Sequence, residues 1–306
     1  PRYNRGVTAR QRRILHRLVE EHIRTKAPVP SARLAEALGL SPALARYELI
    51  ALEEMGYLTK PHASAGRVPT RQAYRQYALS LLPPTPLPEA TQRSLQRALE
   101  GAREPEAFVA KMAAGLSGYP ALLRLRPRKT PRVLQVHLSP LPEGTLAVLV
   151  LEGGKVREVR LSQTFPPEKM REAEEALSRP FAELPPAPKG LEDLFAALSR
   201  VLLAGLSLTY REGLSQVLKE PEAQDPGFLE RLVRLYERGE EDLLTPPGRV
   251  DVRVGEVEGL AQVQAGFSQG EWQGEIVLLG PMRMRYLEAL SVVQSLSQVY
   301  TGTHAG

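Results

Sequence analysis

The side chains best suited to recognise another molecule are concentrated in the first eighty positions of this 306-residue sequence. That segment holds fourteen Lys and Arg against six Asp and Glu, a net charge of +8, and the remainder holds 26 against 29, a net charge of −3. Cationic side chains neutralise phosphates, and polar side chains among them can contact base edges. The charge distribution therefore predicts a polyanion-binding module joined to a nearly neutral body.

Three short helices are expected to position these side chains. The first begins after Thr8, whose hydroxyl can accept a free amide of the first turn. The second is predicted to be capped by Ser31 and to end at Gly39, where a left-handed residue fits. The third runs from Pro42 to Met55, because Ser41 before a proline is a strong helix-start signal.

The second and third helices have the spacing of a helix-turn-helix, in which the third helix enters the major groove of DNA. A strand over Tyr57–Lys60 and the small residues around Gly66 then predict a hairpin, or wing. Lys60 and Arg67 are expected to reach phosphates or the minor groove. The candidate DNA-binding residues are Ser31, Arg33, Ser41, Ala43, Arg46, Tyr47, Lys60, His62, Ser64 and Arg67.

Each of these assignments has an alternative. A small three-helix bundle without a DNA-binding role shows the same helical pattern, although the wing and the charge favour nucleic-acid binding. Arg46 either reads a base edge or clamps a phosphate, and Tyr47 either contacts DNA or packs against the protein. His62 touches a phosphate or is merely solvated, as a single loop histidine usually is.

The segment Val7–Leu82 resembles the start of the HrcA family of heat-inducible transcription repressors. The most specific match is Gly56-Tyr57-Leu58 followed by Pro61-His62-Ala63-Ser64-Ala65-Gly66-Arg67-Val68-Pro69-Thr70. At the start of the third helix the family usually has Thr-Ile-Arg-Asn, where this sequence has Leu44-Ala45-Arg46-Tyr47. Because Asn can bond adenine through two hydrogen bonds and Tyr cannot, a different operator preference is expected. Later segments that resemble the family are Gly213–Leu218, Glu220–Glu222 and Gly280–Tyr286.

The resemblance implies a homodimeric repressor that binds double-stranded DNA at the CIRCE inverted repeat before chaperone genes. It also implies that the chaperonin GroEL is a partner that keeps the repressor active. The implied fold is an amino-terminal winged helix followed by a GAF-like domain that is interrupted by a dimerising insertion, which we place at about 131–205.

Composition and periodicity divide the chain into a winged helix at 1–82, a proline-rich linker at 83–88 and a body at 89–306. Apolar periodicity predicts an α+β body. Its expected helices are Glu89–Glu100, Glu104–Leu116, Pro167–Leu177, Leu191–Leu203, Gly227–Arg238 and Arg285–Val299. Its expected strands are Ala121–Leu125, Val133–Leu138, Thr145–Glu152, Lys155–Leu161, Arg249–Val254, Leu260–Phe267 and Trp272–Leu279.

The sequence offers no catalytic constellation, so we expect neither an enzyme nor a bound cofactor or metal. Cysteine is absent, and no HExxH, P-loop or GxSxG motif occurs. No apolar run approaches the roughly 20 residues of a membrane span, and a cytoplasmic location without membrane contact is expected. Two alternatives stay open: a regulator whose GAF-like body senses a metabolite, and an enzyme with an appended DNA-binding domain.

Overall fold

The computed structural model describes residues 6–238 and 244–302. They form two compact units. The first unit contains the chain up to Leu123, the segment Tyr210–Phe267 and the chain from Glu275 onward. The second unit contains Arg124–Thr209 and Ser268–Gly274.

The first unit begins with helices α1 (Ala9–Thr25), α2 (Ser31–Leu38) and α3 (Pro42–Glu54). The predicted cap at Thr8 is confirmed, since its hydroxyl accepts the Gln11 amide at 3.1 Å and the Gln11 side chain returns a bond to the Thr8 amide. The apolar faces of the three helices meet in a small core that contains Ile14, Leu15, Leu18, Val19, Leu34, Leu49 and Leu52.

The predicted cap at Ser31 is wrong. Pro30 occupies the position before α2, with φ −68° and ψ 146°, and Ser31 is the first helical residue. No side chain caps this helix. The fixed φ of proline already sets the extended geometry that a helix start needs, so the chain enters α2 without a hydroxyl cap.

The wing consists of strands β1 (Leu58–Thr59) and β2 (Val68–Pro69), which pair antiparallel and are shorter than predicted. Val29 forms an antiparallel bridge with Arg67, because the Val29 amide donates to the Arg67 carbonyl at 2.8 Å and the Val29 carbonyl accepts from the Arg67 amide at 3.0 Å. A Cβ at Gly66 would lie 2.5 Å from the Val29 carbonyl, so a glycine is required at this close approach.

The body contains both helices and strands, as predicted. The elements after the wing are α4 (Arg71–Ser80), α5 (Glu89–Glu100), α6 (Pro105–Ser117), β3 (Ala121–Pro127), β4 (Val133–Leu141), β5 (Gly144–Leu151), β6 (Val156–Leu161), α7 (Pro167–Ala176), α8 (Glu192–Leu206), β7 (Leu208–Glu212), 3-10 helices at Leu214–Lys219 and Pro221–Gln224, α9 (Pro226–Arg238), β8 (Val250–Val254), β9 (Leu260–Gln269), β10 (Trp272–Pro281) and α10 (Tyr286–Gly302). The strand order in the larger sheet is β7-β3-β10-β9-β8, and α5, α6 and α10 pack together in the first unit.

The second unit is a three-stranded antiparallel sheet, β4-β5-β6, with α7 packed on β4 and α8 on β6. Gly153 and Gly154 connect β5 to β6 with φ of +83° and +77°, which confirms the predicted hairpin turn. The unit has its own apolar core, which includes Val136, Leu149, Leu161, Met170, Leu194, Phe195 and Leu198.

The predicted fold class, a winged helix followed by an α+β body, is confirmed by this arrangement of elements. No helix within 6–238 and 244–302 combines the length and the apolar character needed to cross a bilayer.

Candidate nucleic-acid interface

The outer face of α3 is exposed to solvent. Ala43, Arg46, Tyr47 and Ile50 follow the i, i+3, i+4, i+7 spacing of one helical face, and all four are exposed. The opposite face of α3 is buried in the core of the winged helix through Ala45, Glu48, Leu49 and Leu52. The structure therefore places the predicted recognition residues together on one free surface.

The start of α3 is fixed by local hydrogen bonds. The Ser41 hydroxyl accepts the Leu44 amide at 3.2 Å, and Pro42 occupies the first helical position, as predicted. Gly39 ends α2 with φ +63°, in the predicted left-handed conformation. These bonds hold the exposed Ser41 and Ala43 at the amino-terminal end of α3, where a helix-turn-helix meets base edges.

A buried carboxylate fixes α3 to α1. Glu48 is 6% exposed and accepts hydrogen bonds from Gln11 Nε2 at 3.0 Å and from Arg10 Nη1 at 3.4 Å. A buried charge is tolerated when it is paired and hydrogen-bonded in this way. These contacts hold α3 against α1 and so help to set the orientation of the recognition helix. They could not be predicted from the sequence, because the residues they join are 37 and 38 positions apart.

A second buried carboxylate, Glu21, lies between α1 and α2. It accepts hydrogen bonds from Arg24, at 2.6 Å, and from Arg33. The hydrogen bond from Arg24, followed by that from Arg33, lowers the pKa of Glu21 below its ordinary value although burial opposes this. Arg33 is therefore bonded to Glu21 while its side chain stays 56% exposed, and its contact with DNA stays a prediction. Ser31, at the start of α2, is half-buried.

The wing tip is exposed at His62 and Ser64, whose Nδ1 and Oγ atoms lie 3.1 Å apart. Lys60 is half-buried at the base of the hairpin and makes no ion pair with another described residue. Arg46 on α3 is likewise without an ion pair among the described residues. Among the predicted DNA-binding Lys and Arg residues, these two are therefore available to phosphates or bases.

Arg67 departs from the sequence prediction. Its side chain is 9% exposed, and its guanidinium lies 3.3 Å from the Glu53 carboxylate of α3. Burial and this ion pair turn the side chain back toward the recognition helix instead of outward to a duplex. Arg67 was predicted to reach phosphates or the minor groove, and in the structure its side chain instead joins the wing to α3.

A charged cluster that was not predicted from the sequence joins the winged helix to the body of the first unit. Arg283 Nη2 lies 2.6 Å from Glu220 Oε2 and 2.6 Å from Glu222 Oε2. Burial alone would lower the pKa of Arg283, but its hydrogen bonds to Glu222 and Glu220 outweigh burial and raise it. Lys26, at the end of α1, lies 3.9 Å from Glu220. The cluster therefore connects Glu220–Glu222 and Gly280–Tyr286, two of the segments that resemble the HrcA family, to the winged helix.

Helix α4 makes a further contact between the winged helix and the body. Arg71 donates from Nε to the Val254 carbonyl of β8 at 2.9 Å. The rings of Tyr77 and Tyr286 meet edge to face, with centroids 6.4 Å apart. Burial raises the pKa of Tyr77 to about 12, so the phenol stays neutral at ordinary pH.

Polar groups buried in the body bond to one another. Glu275 is 2% exposed, and its Oε2 accepts from the Thr245 amide at 2.8 Å and from the Thr245 hydroxyl at 2.7 Å. Gln264 completes the network by donating to that hydroxyl at 2.8 Å. These contacts explain Gln264 of β9 and Glu275 of β10 as buried polar residues that belong to the fold.

Comparison with known proteins gives matches along most of the chain. The family described as "Winged helix-turn-helix transcription repressor, HrcA DNA-binding" matches residues 6–82. The family described as "HrcA protein C terminal domain" matches residues 108–290. The first match contains the whole surface formed by α3 and the wing.

Individual relatives agree with these matches. The heat-inducible transcription repressor HrcA of Nitratidesulfovibrio vulgaris is 31% identical over 335 residues, which cover 95% of this chain and 94% of the relative. That of Synechococcus sp. strain RCC307 is 29% identical, over 94% of this chain and 96% of the relative. A solved structure described as a hypothetical protein at 2.2 Å is 22% identical, with a TM-score of 0.53 over 97% of this chain and 100% of that chain, and shows a similar fold.

Proposed function

Because the chain belongs to the HrcA family of heat-inducible transcription repressors, we propose that it represses chaperone genes by binding the CIRCE inverted repeat as a homodimer. It is a winged-helix transcription repressor and not an enzyme. The observation that carries the operator proposal is the free outer face of α3, on which Arg46 and Tyr47 are exposed and Arg46 has no ion pair among the described residues.

In this proposal α3 lies in the major groove, and the hairpin between β1 and β2 lies along the adjacent backbone. Arg46 reads a base edge, and Lys60 neutralises a phosphate. One module of this size makes few base contacts. Two modules that are held together by the body combine most of their binding free energies, which supports binding to an inverted repeat.

The regulatory part of the proposal comes from the family. Unfolded proteins compete for the chaperonin GroEL during heat stress, the free repressor loses activity, and the chaperone genes are transcribed. This scheme places the protein in the cytoplasm, with the operator DNA and the chaperonin.

Footprinting of the full-length protein on the DNA upstream of the chaperonin operon tests the operator. We expect protection of both arms of the inverted repeat, and no protection when one arm is scrambled. Equal binding to the native and the scrambled duplex would contradict sequence-specific repression from this site.

The same footprint tests the partner. Protein that has been heated and cooled should regain its footprint when GroEL and ATP are added, and an unfolded competitor protein should abolish that gain. A footprint of unchanged strength in all three mixtures would remove GroEL from the proposal and leave the operator assignment intact.

A further inference from the structure

Two large hydrophobic side chains lie in solvent on the outer face of α3. Tyr47 is 69% exposed and Ile50 is 44% exposed. They are three residues apart, so they adjoin on one helical face. Ile50 was not among the candidate contacts predicted from the sequence.

The core of the winged helix does not use Ile50. Leu49 and Leu52, its neighbours in sequence, are fully buried and fill the contact between α3 and the other helices. An exposed β-branched apolar side chain gains nothing from burial and lowers helix propensity slightly. A partner surface that covers Ile50 would supply the missing apolar contact.

The charged residues around Ile50 indicate that this partner is a polyanion. Arg46 lies one turn before Ile50 on the same face, and Lys60 is another predicted DNA-binding cation that has no ion pair among the described residues. Glu54, one turn after Ile50, is exposed, and its carboxylate would be repelled by a phosphate backbone. The face suited to DNA therefore extends from Ala43 to Ile50 and ends there.

We propose that Tyr47 and Ile50 form an apolar strip that reads the 5-methyl group of thymine in the major groove, with Ile50 as the main methyl contact. This inference rests on the proposed function only in taking the ligand to be duplex DNA. Thymine is the base that presents a methyl group in the major groove, and apolar side chains recognise it by contact. The strip selects thymine at one position of each half-site and adds to the polar contact of Arg46.

The experiment replaces the methyl group and leaves the base pair unchanged. A duplex is first selected from random sequences by the full-length wild-type protein, so that the probe does not depend on the CIRCE assignment. Each thymine of the selected half-site is then replaced by deoxyuridine, and dissociation constants are measured by fluorescence anisotropy at fixed salt concentration.

For the wild type we expect one thymine per half-site whose replacement raises the dissociation constant about fourfold, which is the effect expected from the loss of one buried methyl group. Ile50→Ala should weaken binding to the thymine duplex by a similar factor and should no longer distinguish thymine from deoxyuridine at that position. Ile50→Val should retain part of the discrimination. Because Ile50 is exposed, these variants should unfold at the wild-type temperature.

Leu79→Ala is the matched control, since Leu79 is a 37% exposed hydrophobic residue on α4 of the same module. It should discriminate thymine from deoxyuridine as the wild type does. Wild-type binding that is indifferent to every deoxyuridine would overturn the inference, and so would an Ile50→Ala variant with undiminished discrimination. A selected sequence unlike CIRCE that still shows the methyl effect would contradict the operator assignment and support the apolar strip.

Discussion

Arg283 and Glu220 form a buried ion pair, with Nη2 2.6 Å from Oε2 and side chains that are 7% and 4% exposed. Glu220 is also 3.7 Å from Arg285 and 3.9 Å from Lys26 of the winged helix. One carboxylate thus faces three cations. The two segments that contribute Glu220 and Arg283 are among those that resemble the HrcA family, and this contact gives them a structural role.

The first prediction concerns this carboxylate. Glu220→Gln should lower the free energy of unfolding of the full chain by about 3 kcal/mol, because removing one partner leaves the buried Arg283 charge less compensated. Lys26 and Arg285 are 40% and 39% exposed, so water screens them and they add little. Urea unfolding followed by circular dichroism measures the loss.

Glu222→Gln is the control for that prediction. Glu222 makes the same 2.6 Å contact to Arg283, but its side chain is 30% exposed. Glu222→Gln should therefore lower the free energy of unfolding clearly less than Glu220→Gln does. Equal losses for the two variants would show that the burial of Glu220 does not decide the strength of the contact.

Local signals explain what the sequence could predict. The caps at Thr8 and Ser41, the left-handed Gly39 and the helix Glu89–Glu100 were all located correctly, since each depends on residues within a few positions of one another. The candidates on the face of α3 were found for the same reason: helical spacing alone puts Ala43, Arg46 and Tyr47 on one side.

Contacts between residues that are distant along the chain could not be predicted from the sequence. Arg33 and Arg67 were expected at the DNA, but they pair with Glu21 and Glu53, which lie 12 and 14 residues away in sequence. Only the folded helices bring these charges together. Strand β7 was also missed, because Leu208–Glu212 follows α8 after a single residue and no turn signal separates them.

The second prediction tests Arg46. Arg46→Ala should weaken operator binding by roughly 1–3 kcal/mol and leave binding to random duplex nearly unchanged, because a bond to a base edge carries sequence information. Anisotropy titrations on the two duplexes at the same salt concentration measure the difference. An equal loss on both would make Arg46 a phosphate contact.

The third prediction separates the two cations of the wing. Lys60→Ala should flatten the slope of log K against log salt by about one unit, because one phosphate contact is removed. Arg67→Ala should leave that slope unchanged and lower the unfolding temperature, since Arg67 is buried against Glu53. If Arg67→Ala flattens the slope and Lys60→Ala does not, the assignments of the two residues are reversed.

The fourth prediction concerns pH. Burial, and then the charge of Arg12, lower the pKa of His16, whose Nε2 is buried with no hydrogen-bond partner among the described residues. Below the unfolded-state pKa of about 6.5 the unfolded chain therefore binds a proton more readily than the folded chain. The free energy of unfolding should decrease as the pH falls from 7 to 5.

His16→Phe should make that decrease shallower while keeping an aromatic ring against Tyr77. Some pH dependence should persist, because burial also lowers the pKa of His22 even though its bond to the Ala27 carbonyl opposes this. His62→Gln, at an exposed position of the wing, is the control and should follow the wild-type curve. A wild-type curve that is flat from pH 7 to 5 would refute the prediction.

The last prediction concerns dimerisation. The predicted insertion at 131–205 lies inside the second unit, which has its own apolar core of sheet and helices. A segment with its own core can fold alone. We therefore expect both the full chain and a fragment of residues 124–209 to sediment as dimers, with an interface of about 800 Å² per partner. Sedimentation equilibrium over a range of concentrations measures the oligomeric state of the full chain and of the fragment. If the fragment stays folded but monomeric where the full chain is dimeric, the interface lies in the first unit, and that unit sets the spacing of the two recognition helices.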